Sequence, residues 1–173
     1  MDRRDVERLP GMAGLTQGAD HVDVHTMEGT GSVADVAAAL LSHRPGWMVF
    51  LWKVRTVLLR LLGQGGRIVP EPARLTGATL PKSVGDKASF LTVIRSDGES
   101  HWVAGAGESH LAAEVGVVAE PLAGGRSRFH VVTVVRYRNT AGRIYFNVIR
   151  PFHHLVVDSA LRAALRRGRN GDQ

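Results

Sequence analysis

Glu108, His110 and His153 carry most of the reactive chemistry this sequence offers. A neutral imidazole donates a proton from one ring nitrogen and accepts one at the other. A carboxylate close by can orient it, which is the minimum equipment for general acid–base catalysis. Glu108 stands two residues before His110, and His110 opens the apolar stretch that begins at Leu111. That placement puts His110 at the rim of a core, where a ring meets both ligand and water. His153 is spaced from Phe146, Ile149 and Val157 so as to fall on the buried arc of a helix. The inventory suffices for one proton transfer. It does not suffice for a nucleophilic triad, and the commoner duty of a buried histidine is to satisfy a backbone carbonyl.

Other spacings imitate chemistry. His21, Asp23 and His25 alternate with Val22 and Val24. Three such ligands could hold a metal, but on one strand they spread over about 13 Å. A solvated strand face is the expectation, and no metal is assigned. Gly29, Gly31 and Ala34 fit the G-x-G-x-x-A turn of dinucleotide-binding folds. The strand before it is half polar, no second strand closes a β-α-β unit, and position 53 is Lys53 rather than an acid. Ser32 is read instead as a helix N-cap with Asp35 in the first turn. No cofactor is expected. The net charge is +6, with nineteen arginines against three lysines in 173 residues. The arginines are scattered and carry no RNA-recognition, zinc-finger or helix-turn-helix signature, so nucleic acid is not expected as a partner. Arg136, Arg138, Arg143 and Arg150 gather near one turn, where pairing with Glu114 and Glu120 explains them.

The elements that position these residues follow from periodicity. Arg128 to Arg138 alternates, with Phe129, Val131, Thr133, Val135 and Tyr137 on one face, as in a strand with one buried side. Asn139 to Gly142 breaks it, and a helical period follows to Gly168, interrupted at Pro151. That helix would span roughly 40 Å at about 1.5 Å per residue. Upstream, Ala19–Met27 reads as a strand and Ser32–His43 as a helix. A second helix is expected from Pro45 to Leu62, too short and too charged to cross a bilayer. Strands follow at Ala88–Arg95, Ser100–Ala106 and Leu111–Ala119, the first two joined by an Asp97-Gly98 turn. Residues 1–18 read as a flexible, polar and Gly-rich segment, and 19–168 as the one domain. Its polar start lacks the apolar core of a signal peptide, and the absence of cysteine suits a cytoplasmic location.

This order of strand, two helices, antiparallel strands and long terminal helix resembles the α+β helix-grip fold. Steroidogenic-acute-regulatory-type (START-like), birch-pollen-allergen-like and polyketide-cyclase-like domains share it. Ser83–Val93, Glu108–Leu111 and above all Asn139–His153 are similar to an uncharacterised bacterial family, the domain-of-unknown-function family twenty-eight sixty-seven. The likeness runs from about Ala19 to Arg167. It implies a curved antiparallel sheet wrapped around the C-terminal helix, with a ligand cavity between them. It implies no reaction. Family members commonly carry an acid after the His-Leu pair, and Ala112 stands there in this chain.

The expected cavity wall is Leu111, Val115, Phe129, Val131, Val135, Tyr137, Phe146, Ile149, Phe152 and His153. The leading function is binding of a small apolar or amphipathic molecule in that cavity. The alternatives are a lyase, cyclase or isomerase using a pocket histidine, and a structural protein whose cavity its own side chains fill.

Overall fold

The computed structural model describes residues 1–43, 56, 57, 60, 61, 63 and 75–170; beyond Pro151 only the side chains of Leu155, Val157, Ser159 and Ala160 are described. Six antiparallel strands form one sheet in the order β1-β6-β5-β4-β3-β2. They are β1 His21–Gly29, β2 Lys87–Ala88, β3 Leu91–Ser96, β4 His101–Gly107, β5 Leu111–Pro121 and β6 Ser127–Tyr137. Helix α1 is Arg3–Arg8, α2 is Val33–Ser42, and the C-terminal helix is Thr140–Asn170. This is an α+β helix-grip architecture. The expected Ala88–Arg95 strand is split by a turn at Ser89 (φ 61°), leaving β2 only two residues long. Of the helix expected over Pro45–Leu62, residues 56–57 and 60–61 are helical and the rest lies outside the described residues.

Local chemistry sets the boundaries. Ser32 caps α2 reciprocally with Asp35: Asp35 N–H donates to Ser32 Oγ and Ser32 N–H to Asp35 Oδ2, both at 3.1 Å. The glycines before it therefore serve a helix start. β1 pairs antiparallel with β6, which no dinucleotide-binding unit requires. Asp97 Oδ1 gathers the N–H groups of Glu99, Ser100 and His101 at 2.9–3.0 Å and closes the β3–β4 hairpin. Asn139 caps the C-terminal helix by accepting from Gly142 N–H at 3.1 Å.

The alternation along β6 assigns two faces. Phe129 and Val131 pack with Trp102, Ala104 and Val117 under Val33, Val36 and Ala37 of α2, and Val157 of the C-terminal helix joins them. We term this side the inner face. Val132 and Val134 turn the other way, with Val103 and Val118. That outer face is also buried, which the single-face reading of β6 did not anticipate.

The cover is the N-terminal segment expected to be loose. Val6, Leu9, Met12 and Leu15 recur every third residue, and a chain of turns (Leu9 N–H to Val6 C=O, Met12 to Leu9, Leu15 to Met12) drops all four onto the outer face. Each fully buried side chain of this size contributes roughly 1.5–3 kcal/mol over leaving it in water. Arginines fasten the backbone. Arg95 donates to the carbonyls of Gly11 and Ala13 at 3.0 and 2.7 Å. Arg136 donates to those of Gln17 and Leu15 at 3.1 and 2.5 Å, and its third nitrogen pairs with Glu114 at 2.8 Å. Glu7 holds the loop from within, accepting from Thr16 N–H at 2.7 Å and from Gly14 N–H.

Candidate functional site

Because Val22 and Val24 pack under the N-terminal segment, the alternate residues of β1 must face inward. The register confirms this. His21 lies opposite Val135, Asp23 opposite Thr133 and His25 opposite Val131, all inner-face positions of β6. The solvated face expected for His21, Asp23 and His25 is thus corrected: they line the side of the sheet that the C-terminal helix crosses. His21 packs on Phe146 of that helix, ring centroids 4.9 Å apart. His25 Nε2 and Asp23 Oδ2 are 2.7 Å apart, and their side chains retain 14 % and 18 % of their exposure. They are neither sealed nor fully on the surface. Since an ionised carboxylate only accepts, Nε2 is the donor.

Around this polar row stand several residues expected in the wall. Val135 is buried, Tyr137 is half-buried, and the Tyr137 ring lies 5.9 Å from that of Phe146. Burial, with Asp20 close by, raises the Tyr137 pKa, so its hydroxyl stays a neutral donor. Leu111 and Ile149 pack with Tyr145, and Val115 remains partly accessible beside the core. Phe129 and Val131 are fully enclosed beneath α2 with no exposed surface, so they face no space that water can enter. The C-terminal helix packs chiefly on α2 and less on β1 and β6. Phe152 and His153 have side chains outside the described residues. Their positions on the helix fall between Phe146, at His21, and Val157, beside Val131.

His110 is not at a rim. It is 2 % exposed, and the Tyr145 ring stands edge-on to it at 5.2 Å. Glu108 Oε2 stands 3.5 Å from His110 Nε2. The reason for the burial is Gly142, whose missing side chain lets the helix start settle on the His110 backbone. A Cβ there would stand 2.0 Å from the His110 carbonyl oxygen. Glu120 pairs with Arg128, so Arg138 meets His110, through an N–H to C=O bond of 2.9 Å. By helix geometry position 153 is about 12 Å along the axis from Tyr145. The two histidines singled out from sequence therefore belong to different levels of the helix.

Two further histidines sit on the outer face. His130 is buried between Thr26 Oγ1 at 2.9 Å and Glu120 Oε2 at 2.8 Å. His101 packs against Gly11 of the N-terminal segment. His101 thus packs under that cover, whereas His130 links β6 to β1 and β5. Among the described residues no group of three metal-ligating side chains is placed to bind an ion, and no helix is long and apolar enough to cross a membrane.

The chain matches the family described as "Protein of unknown function (DUF2867)" over residues 15–160. It belongs to that family. The DUF2867 match begins within the N-terminal cover, so Val6, Leu9 and Met12 lie before it. No curated protein matches the chain. Several solved structures are similar to it. Norcoclaurine synthase from Thalictrum flavum, in complex with dopamine and hydroxybenzaldehyde, is 14 % identical with a TM-score of 0.45, covering 92 % of each chain. The Zhui aromatase/cyclase from Streptomyces sp. R1128 is 10 % identical with a TM-score of 0.44, over 88 % of this chain and 96 % of that one. Protein MLL2253 from Mesorhizobium loti is 12 % identical with a TM-score of 0.43, over 85 % and 98 %.

Proposed function

We propose that this DUF2867 protein binds a small, largely apolar molecule bearing a polar group, in the cleft between the inner face of the sheet and the C-terminal helix. The observation that carries the reading is the inward turn of His21, Asp23 and His25. A polar row beneath a helix, among apolar walls, is what recognition of a polar substituent requires. Leu111, Val115, Val135, Tyr137, Phe146 and Ile149 supply the apolar and aromatic surround. The Glu108–His110 pair, packed under Tyr145, serves the helix start in this reading.

The test is a thermal-shift screen of aromatic and alicyclic alcohols, ketones and acids, with native mass spectrometry of the purified protein for a retained molecule. A hit should weaken about tenfold or more in His21→Phe and Asp23→Asn, a change of about 1.4 kcal/mol. Equal affinity in both variants defeats the proposed site. No ligand in either assay favours a cavity filled by the protein's own side chains.

A further inference from the structure

We infer that Thr26, His130 and Glu120 form an acyl-transfer relay on the outer face of the sheet, with Thr26 as nucleophile, His130 as its base and Glu120 as the positioning residue, for a small activated ester. The relay lies on the opposite face from the proposed cleft and is independent of it. Its members come from three adjacent strands. Thr26 of β1 lies opposite His130 of β6, and Glu120 of β5 is opposite Arg128, diagonal to the histidine. Thr26 Oγ1 is 2.9 Å from His130 Nδ1, and His130 Nε2 is 2.8 Å from Glu120 Oε2. An ionised carboxylate only accepts, so Nε2 donates to it; in the neutral ring Nδ1 is then the acceptor, and the Thr26 hydroxyl donates there. A hydroxyl bonded to an imidazole that a third group orients is how a weak nucleophile is activated.

The position gives access. Val22 and Val24 lie under the N-terminal segment, whereas Thr26, next in the alternation on that face, is exposed. The His130 side chain is 2 % exposed and that of Glu120 44 %, so the base is shielded from water between its two partners. Arg128, two residues from His130 on the same face and held by Glu28 at 2.8 Å, adds positive charge beside a developing oxyanion. The fold does not require a polar trio here. The strands are already paired through their backbones, and apolar Val132 and Val134 pack on the same face. Apolar groups of matching shape in place of both partners of a buried hydrogen bond are nearly neutral for stability.

The steps balance with water as the only co-reactant. Thr26 Oγ1 attacks the ester carbonyl carbon, its proton goes to His130 Nδ1, and the carbonyl π pair moves to oxygen. That pair returns, the bond to the leaving oxygen breaks, and the departing alkoxide or phenolate takes the proton from Nδ1. The acyl group is then an ester on Thr26. Water attacks it and gives its proton to Nδ1, the bond to Oγ1 breaks, and Oγ1 recovers the proton. The products are a carboxylic acid and an alcohol, and nothing is oxidised or reduced.

The probe is p-nitrophenyl acetate. Release of p-nitrophenolate is followed by absorbance, and acid-quenched samples are mapped by peptide mass spectrometry for an acetyl group on Thr26. Wild-type protein should accelerate release over buffer and carry the adduct. Thr26→Ala should lose both, and Thr26→Ser should keep both. His130→Gln should lose about 10²-fold or more of the acceleration. Glu120→Gln should lower kcat with KM unchanged, and Glu120→Asp should restore part of it. If His130→Gln does not fold by far-UV circular dichroism, Thr26→Ala, at an exposed position, carries the comparison. Release no faster than in buffer overturns the inference, as does release that survives Thr26→Ala. Acetyl groups found only on lysines, histidines or the N-terminus also overturn it. None of these outcomes touches the binding reading for the inner face.

Discussion

Met12→Ala tests how the N-terminal segment holds the sheet, and Gly116 supplies its counterpart. Met12 has no exposed surface. Its Cε ends against Gly116, where a Cβ would stand 2.8 Å from Cε and 3.0 Å from the sulfur. Truncating a fully buried methionine to alanine costs about 2–5 kcal/mol. Gly116→Ala alone should cost about 1–3 kcal/mol through overpacking, although alanine otherwise favours a strand over glycine by roughly 0.5–1 kcal/mol. In the Met12→Ala background the clash is gone, and the next side-chain atom, Val103 Cγ2, is at an ordinary 3.6 Å. The added methyl then fills part of the vacated space. The double variant should be more stable than the sum of the two single losses, by about 1–3 kcal/mol. Urea unfolding followed by far-UV circular dichroism measures all four corners of the cycle, with m-values compared to verify that the unfolding reaction is unchanged. Additivity within about 0.5 kcal/mol would refute the contact. A neutral Met12→Ala would refute the packed cover altogether.

Glu7 gives a pH signature. The Thr16 hydroxyl, then the N–H groups of Thr16 and Gly14, hold its pKa below the ordinary 4.5. A depressed folded pKa contributes stability that is present above the unfolded value and lost as pH falls through the folded one. Amide exchange at Gly14 and Thr16 should therefore quicken below pH 4.5 relative to the rest of the chain, and Glu7→Gln should show the quick exchange at neutral pH. Gly142→Ala should destabilise by about 1–3 kcal/mol or more, because the methyl meets backbone at His110 and no side chain can yield; an unchanged melting temperature would contradict the tight helix start. Arg95, Arg126, Arg128 and Arg136 are engaged by carbonyls or carboxylates, and the basic charge is expected not to serve nucleic acid. Fluorescence anisotropy at physiological salt should give Kd values no tighter than the non-specific range of about 10⁻⁴–10⁻⁶ M for mixed-sequence DNA or RNA.

The helix-grip plan was legible because its signals are local. The alternation from Phe129 to Tyr137, the Asp97-Gly98 hairpin, the Ser32 cap and the helical period after Asn139 each fix an element without tertiary knowledge. What periodicity cannot say is which face of a strand the rest of the chain will cover. In β1, Val22 and Val24 alternate with His21, Asp23 and His25. Hydrophobicity puts the valines on a core, and they are on one, but on the outer core. The signal that could have corrected this was the recurrence of Val6, Leu9, Met12 and Leu15 at intervals of three. An apolar stripe in a segment otherwise polar and Gly-rich needs a surface to cover, and the only consequence for β1 is that its polar residues turn inward. The burial of His110 was illegible for a different reason. It depends on Gly142 from the next element, thirty-two positions on.

The inward orientation of β1 is the claim on which the proposed site stands, and the histidine side chains report on it directly. Long-range ¹H–¹⁵N spectra of the imidazole rings, recorded with and without a ligand whose binding is established, compare the two faces of the sheet in one sample. His21 and His25 should shift on binding, while His101 and His130, on the outer face, should not. Shifts confined to His101 and His130, or no histidine shift with ligand bound, would contradict the placement of the site.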